Sequence, residues 1–583
     1  VANILLQITI SIVLVLGLGL LIMRYGLRFQ TSDRLLSLCA ALPLGALGWA
    51  GIGLVIWNLP RAVQSWAWLF GIALVLAILL TRNLRSLLTI IKMPLLITCV
   101  FAAFVFAHFT PDELPSGVDP WALAKRTQTF NVPDHFLQWM ISDNFVSRRR
   151  IERGFNPDGK QMWSAGDRPM LPGFLDAVLS VVSRDHNTNI YFSRLFFLGS
   201  FFIFPILGLL RSEFGVRSKL ALSGILLCLL VHPFFFTNVF FTWPKIASVS
   251  FLLIGFYFLA NLSSAFGRAH RAAFSVIIGA AFAAALLSHT SSAVGICLVL
   301  LYLALTRFKP IVAQLKVQPL VLMRYAGLGL ATLIIPMLIH ANFLAKHTNR
   351  TQLLERVQLC RGGSYAYVTP VIPLAQACRE YYERVGIAGM IDDRRQSLRA
   401  AFIDGYALSA AKISAWRSES GSLKTLISDW NRDLLFDPVT SYGVTTFPLG
   451  LICLVLGCIK MRKHRFGLPR ELVLFVCSGL ALLGFGLMLA EFSEMRPHVI
   501  PISIPICLQI ALLVMLYRLN SKVFAVYTGV NILASIILLT SRVEPLFGYQ
   551  VPELALASLL ILMLFPVLML QSFPEDESSK KTA

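Results

Sequence analysis

The sequence predicts an all-α fold, a polytopic transmembrane helical bundle of about 13–15 spans with two long, mainly helical extracytoplasmic loops. Three observations predict it. Of the 583 residues, 56% are hydrophobic and 14% charged, and the mean hydropathy is +0.72, a balance that would leave a soluble globule with far too much exposed apolar surface. Runs such as Ile4 to Met23, Leu35 to Trp57, Phe192 to Leu210, Leu320 to Phe343 and Val499 to Tyr517 approach or exceed the ~20 residues that cross ~30 Å of hydrocarbon as a helix. The ten-residue alternation of an outer-membrane barrel is absent from the sequence.

The first element, Val1 to Leu21, has neither a basic leader nor a small-residue cleavage site and reads as a retained span. Residues 1–109 then form the N-terminal transmembrane helices. Arg24, Arg28 and Arg34 follow the first span, Arg82, Arg85 and Lys92 the third, and Arg211, Arg217 and Lys219 the fifth. Arg268 and Arg271, Arg307 to Lys316, Lys460 to Arg470, and Arg518 with Lys522 continue the series on the same side, provided that Ala273 to Thr306 is two short spans hinged near His289. The positive-inside rule makes that side cytoplasmic and gives roughly fifteen spans, N-terminus outside and C-terminus inside. It also accounts for the net charge of +21 through headgroups and orientation, so nucleic acid is not implied.

This parity places residues 110–189, a first loop with interfacial helices, and residues 344–443, a second loop, on one extracytoplasmic face. Residues 190–343 and 444–571 are the central and C-terminal transmembrane helices, and 572–583 a disordered cytoplasmic tail. Eight of the ten cysteines lie in apolar runs and read as small core residues. Cys360 and Cys378 share the second loop, where an oxidising compartment would permit a disulfide; the sequence leaves its formation open.

In the first loop, FNVPDHFLQWMISDNF carries Asp134, His135 and Asp143. Phe136, Leu137, Met140, Ile141 and Phe145 share one helical side and His135, Gln138 and Ser142 another, which predicts a helix lying on the membrane surface. Asp134 stands either as a cap for its first amides or as a rigidly held functional acid, and these readings are compatible. Asp143 reads as solvated. The arginines of SRRRIERGF, Arg148, Arg149, Arg150 and Arg153, meet a phosphate-bearing partner, ordinary headgroups or a neighbouring acid such as Glu152. In WSAGDRPMLPGFL, Asp167 and Arg168 precede Pro169, read as the first turn of a helix; Asp167 reads as its cap, whereas Arg168 has no such structural role.

Later candidates are Lys245 in TWPK, His289 in LLSHTSS, and Glu494, Arg496 and His498 in EFSEMRPH. All border the extracytoplasmic face on this topology, where ionisable groups need partners or a wet cavity. Bland readings stand beside the functional ones: Lys245 snorkels to headgroups, His289 caps a helix break, Glu494 neutralises Arg496. Asp392 and Asp393 in MIDDRRQSL read as a solvated ion-pair cluster and not as a metal site. The sequence contains no HExxH, CxxC, P-loop or G-x-S-x-G elbow.

In their order, these landmarks resemble the GT-C superfamily of integral-membrane glycosyltransferases, in the bacterial branch of protein mannosyltransferases and aminoarabinose transferases. PDHFLQW is similar to its acidic first-loop motif, GDRPMLPGFL to its R-P-P-L motif with Met170 for the second proline, Arg194 through Phe214 and Gly215 to its span ending in a Phe-Gly turn, and MRPHVIPISIP to its R-Y-L-x-P signature with Pro497 and His498 in place of the aromatic. The likeness spans about Phe101 to Tyr517. It implies a bacterial inner-membrane enzyme with its site facing the periplasm, a polyprenyl-phosphate-linked sugar as donor, an extracytoplasmic glycan, lipid or protein as acceptor, and inverting transfer without a cofactor or an indicated divalent metal.

That chemistry requires a carboxylate to take the acceptor proton and cations to hold the leaving phosphate. Asp134 is the candidate base. Arg168, Lys245, His289, Arg496 and His498 are the candidate phosphate partners, with Asp167 and His135 beside them as substrate-binding residues. The second loop, with REYYERVG and SDWNRDLLFDP, is expected to be helical and to face the acceptor. The alternatives are an O-antigen ligase or polymerase, which would not depend on the acid, and a flippase of lipid-linked saccharides, which would place charges at the bilayer midplane. The sequence leaves the sugar, lipid length and oligomeric state open.

Overall fold

A computed structural model describes residues 2–60, 66–80, 84–108, 134–147, 153–155, 161–164, 169–240, 244–347, 438–462, 470–489, 502–540 and 552–574, with short pieces between 379 and 395. The described chain is an all-α membrane helical bundle. Its helices are α1 (Ala2–Leu21, continued by a π-turn Ile22–Gly26), α2 (Arg34–Asn58), α3 (Trp68–Leu80), α4 (Leu84–His108), α5 (Asp134–Val146), α6 (Leu171–Ser183), α7 (Thr188–Ser200), α8 (Ile203–Ser212), α9 (Lys219–Leu230) and α10 (Pro233–Phe240). They continue as α11 (Pro244–Asn261), α12 (Ala265–Ala269), α13 (Arg271–Ser288), α14 (Ser292–Val317), α15 (Pro319–His347), α16 (Pro438–Arg462), α17 (Arg470–Leu489), α18 (Ser503–Leu519), α19 (Ser521–Thr540) and α20 (Pro552–Ser572).

Local chemistry sets several boundaries. Asp33 caps α2 by accepting from the amides of Leu35 and Leu36 at 2.8 and 3.0 Å, Asn187 caps α7 through Ile190 at 3.1 Å, and Ser264 caps α12 through Gly267 at 2.9 Å. After α8, Gly215 adopts φ 61°, the left-handed value that lets the Phe214 and Val216 amides close on Leu209 and Leu210. The expected Phe-Gly turn is thus present. α13 ends at His289, whose backbone is extended, and α14 begins at Ser292; the hinge placed there from the sequence is found.

Eight helical stretches among the described residues are long and apolar enough to cross a bilayer, and eight shorter apolar helices lie among them. α6 is one of the shorter eight; its Met170 amide meets His340 at one end and Asp185, just past the other end, meets Asn3. Against the roughly fifteen spans read from hydropathy, eight helices of spanning length lie among the described residues.

The helices alternate between two ends. At one, Arg211 donates to the Phe573 carbonyl at 2.7 Å, Arg518 to that of Phe214, and Lys460 to that of Arg518 at 3.4 Å. Arg307 there meets Glu213 at 2.6 Å, Tyr302 meets the same carboxylate at 2.7 Å, and Phe29 packs on Phe266 and Phe274. The basic clusters following different spans therefore gather at one end, as a single-sided reading requires. At the opposite end Trp57 meets Phe145 and Phe343 at 4.8 and 5.8 Å, and Arg184 lies over Trp68 at 4.7 Å. Both long loops leave from this second end, since α15 arrives there with Phe343 while α16 departs toward Lys460.

The first loop departs from the helical expectation in one place. β1 (Arg153–Phe155) pairs antiparallel with β2 (Gln161–Ser164), with Gly154 opposite Trp163. A glycine and flanking aromatics suit a short ribbon better than the helix the loop's composition suggested. Of the second loop, residues 383–389 are helical, and Arg395 pairs with Asp392 at 2.8 Å with both exposed, as the ion-pair reading holds. Cys360, Cys378 and Glu494 lie outside the described residues.

Close approach builds the first helix pair. A Cβ on Gly45 would fall 1.9 Å from the Val15 carbonyl oxygen, and one on Gly19 1.9 Å from that of Ala41. Backbones this near gain packing that larger residues forbid, the main adhesive between helices in lipid. Gly45→Ala is expected to lower stability by about 1–3 kcal/mol, read as a lower thermal midpoint in detergent; an unchanged midpoint would refute the contact.

Candidate functional site

The loop end is organised by the parallel pair α5 and α6. Gln138 donates from Nε2 to the Pro169 carbonyl at 2.9 Å and accepts at Oε1 from the Gly173 amide at 3.0 Å. One turn further on, the Ser142 hydroxyl donates to the Asp176 carboxylate. Residues four apart share a helix face, so Asp134, Gln138 and Ser142 form one line. With Gln138 beside Gly173 and Ser142 beside Asp176, the turn that begins at Asp134 comes level with Pro169. Gly173 permits the approach: a Cβ there would lie 2.3 Å from the Gln138 carbonyl oxygen.

The polar side of α5 is not open to solvent. Gln138 and Ser142 are buried, as are Ile141 and Phe145, so the polar side faces α6. A buried amide is stable there because both its polar atoms are satisfied. The start of α6 differs as well. Its N-cap is Met170, without a side-chain cap, and a proline of its first turn is Pro172. Pro169 precedes the helix, Asp167 lies outside the described residues, and Gln138 serves the Gly173 amide from the neighbouring helix.

Beneath this line sits a charged pair that the site reading of the sequence did not include. Asp176 and Arg194 are 2% and 4% exposed. Arg194 Nη1 donates to Asp176 Oδ1 at 2.6 Å and Ser180 Oγ at 2.6 Å, Nη2 reaches Ser183 Oγ at 3.3 Å, and Nε donates to Ser11 Oγ at 2.9 Å. With Ser142, the pair ties α1, α5, α6 and α7 together. The available signal was one acid alone in LPGFLDAVLS and one base alone in YFSRLFF; Arg194 entered only as a landmark. Asp143, read as solvated, is 40% exposed yet meets His186 Nε2 at 3.4 Å, and Trp139 stacks on that imidazole with centroids 4.4 Å apart.

Of the predicted site residues, Asp134 opens α5 and His135 follows it. Asp167, Arg168, Arg496 and His498 lie outside the described residues, but Pro169, bonded to Arg168, is the residue that Gln138 holds. Lys245 and His289 fall at the same end as each other: α11 and α13 run antiparallel, and a Cβ on Gly255 would meet Phe282 at 2.3 Å, which sets the first turn of α11 beside the last of α13. Lys245 is 1% exposed, so it does not snorkel to headgroups. His289 does sit at the helix break, accepting at Nδ1 from the Ser291 amide at 3.2 Å; that bond leaves the proton of a neutral imidazole on Nε2. Ser503, five residues after His498, packs on the first turns of α14 at Gly295.

An open apolar groove of about 140 Å³ lies beside the start of α6. Leu54 of α2, Met170 at the N-cap of α6, Phe174 of α6, Leu287 of α13, and Pro336 and His340 of α15 contribute to its lining. Met170 adjoins Pro169, and Leu287 lies two residues from His289. His340 Nε2 accepts from the Met170 amide at 3.4 Å.

No family model matches the chain, and no curated protein or solved structure matches it. Fold and site together define a multi-pass membrane helical bundle with a buried polar cluster and an apolar groove at one end.

Proposed function

We propose that the protein is a membrane glycosyltransferase of GT-C type that moves a sugar from a polyprenyl-phosphate-linked donor to an extracytoplasmic acceptor with inversion, in the bacterial plasma membrane with the loop end outward. The observation that carries this reading is the α5–α6 register: it brings the turn of Asp134 level with Pro169, the chain neighbour of Arg168, beside an apolar groove. An acid, a cation and a trough for a lipid chain are the three parts such a transfer needs. The ordered landmarks resembling the superfamily add to it, as does the collection of arginines at the opposite end.

In the proposed reaction the acceptor hydroxyl attacks the anomeric carbon from the face opposite the phosphate. Asp134 takes the hydroxyl proton as the new C–O bond forms. The bond from the anomeric carbon to the phosphate oxygen breaks, its electron pair leaving with the polyprenyl phosphate. Arg168, best suited to bidentate contact with phosphate, and the cations of the Lys245 and Arg496–His498 segments stabilise that charge, with His289 as a hydrogen-bond donor through Nε2. Asp134 then passes its proton to solvent, and the products are an inverted glycoside and a polyprenyl phosphate.

Mass spectrometry of cell-surface glycans and lipids tests the reading. A strain carrying Asp134→Asn is expected to lose the same glycosylated product as the deletion strain; a product unchanged from wild type removes Asp134 as base.

A further inference from the structure

We propose that Gln138 is a positioning residue: its side-chain amide fixes where the first turn of α5, which Asp134 opens, lies against Pro169. The inference deepens the transfer reading above and rests on it for its functional meaning, but its geometry stands separately.

Gln138 lies one helical turn after Asp134 and is 1% exposed. Its amide is used from both sides, Nε2 on the Pro169 carbonyl at 2.9 Å and Oε1 on the Gly173 amide at 3.0 Å. The two contacts straddle the point where α6 begins, so one planar group fixes both the strand of chain entering the helix and the helix's first turn. Neither atom has an equivalent replacement. α6 lacks a side-chain cap of its own, and Pro172 supplies no amide hydrogen.

Sliding α5 along α6 would break both bonds at once and bury an orphaned carbonyl and an orphaned amide, which gives the register a sharp minimum. Further along the pair, Ser142 with Asp176 fixes the far end. Gln138 is the fixed point nearest Asp134, so errors in its placement reach the acid with only one turn between. A reacting carboxylate displaced by an ångström loses much of its advantage.

The test is a geometric readout in the full-length protein in lipid nanodiscs. Asp134 is replaced by the photoreactive p-benzoylphenylalanine, and cross-linked peptides are identified by mass spectrometry. The expected main product joins position 134 to Pro169 or the residues that follow it into α6. In Gln138→Ala and Gln138→Leu that product is expected to fall roughly tenfold, the population change that about 1.4 kcal/mol produces. Gln138→Glu should retain most of it, because a buried glutamate is held neutral and offers one donor and one acceptor.

A second photoprobe at Phe29, 5.8 Å from Phe266 by ring centroids, reports on the bundle at the end remote from α5 and is expected to be unaffected by any of the three. Cross-linking from position 134 that is unchanged in Gln138→Ala overturns the proposal. So does a parallel loss at the Phe29 probe, which would make Gln138 merely structural. If Asp134→Asn retains the surface product while the cross-linking result holds, Asp134 falls as the base and the positioning stands.

Discussion

Asp134→Asn is expected to lower the rate of sugar transfer by on the order of 10²–10⁴-fold, the contribution of a positioned general base. The amide is nearly isosteric with the carboxylate but cannot take a proton from the acceptor hydroxyl. Stability should hardly move. Asp134 is the first residue of α5, where a carboxylate favours the helix dipole by only about 0.3–1 kcal/mol. Transfer in membranes supplied with a polyprenyl-phosphate sugar, read beside the thermal midpoint, separates the two effects. Transfer at the wild-type rate would remove Asp134 from the mechanism.

Arg194→Met and Asp176→Leu are each expected to destabilise the loop end by about 3–5 kcal/mol, because either change leaves a buried charge without its partner. Arg194 otherwise loses its 2.6 Å contact with Asp176, and Asp176 loses the only guanidinium bonded to it among the described residues. The double variant should recover most of the loss, since two apolar groups of similar volume orphan no charge. What remains would reflect Ser142, Ser11 and Ser180, whose hydroxyls bond to this pair, at about 1 kcal/mol for each bond lost. Unfolding midpoints in detergent for the two singles and the double give the coupling directly. Additive losses would show that the pair does not act as a unit.

The two expectations touch different links of one chain of cause. The buried pair holds α5 and α6 against α1 and α7; the Gln138 amide fixes the register between α5 and α6; the register brings the Asp134 turn to Pro169. A change at the base of that chain should therefore reach the acid through geometry, whereas a change at Asp134 should alter chemistry alone.

Composition and hydropathy alone determined that this protein is a helical membrane bundle, where its apolar helices run, that Ala273 to Thr306 breaks near His289, and that the arginine clusters share one end. Each follows from properties a segment carries by itself: burial in hydrocarbon demands an internally satisfied backbone, and a basic group's preference for one membrane face needs no particular neighbour. Only the tertiary structure decided that Gln138 and Ser142 turn inward, that α6 starts after Asp167 and Pro169, that Lys245 is buried, and that Asp176 finds Arg194. A polar side chain's place depends on whether a partner waits within hydrogen-bonding distance, and here those partners come from other helices, up to 183 residues away in the case of Ser11 and Arg194. Periodicity reports the character of a face; what meets that face is set by packing.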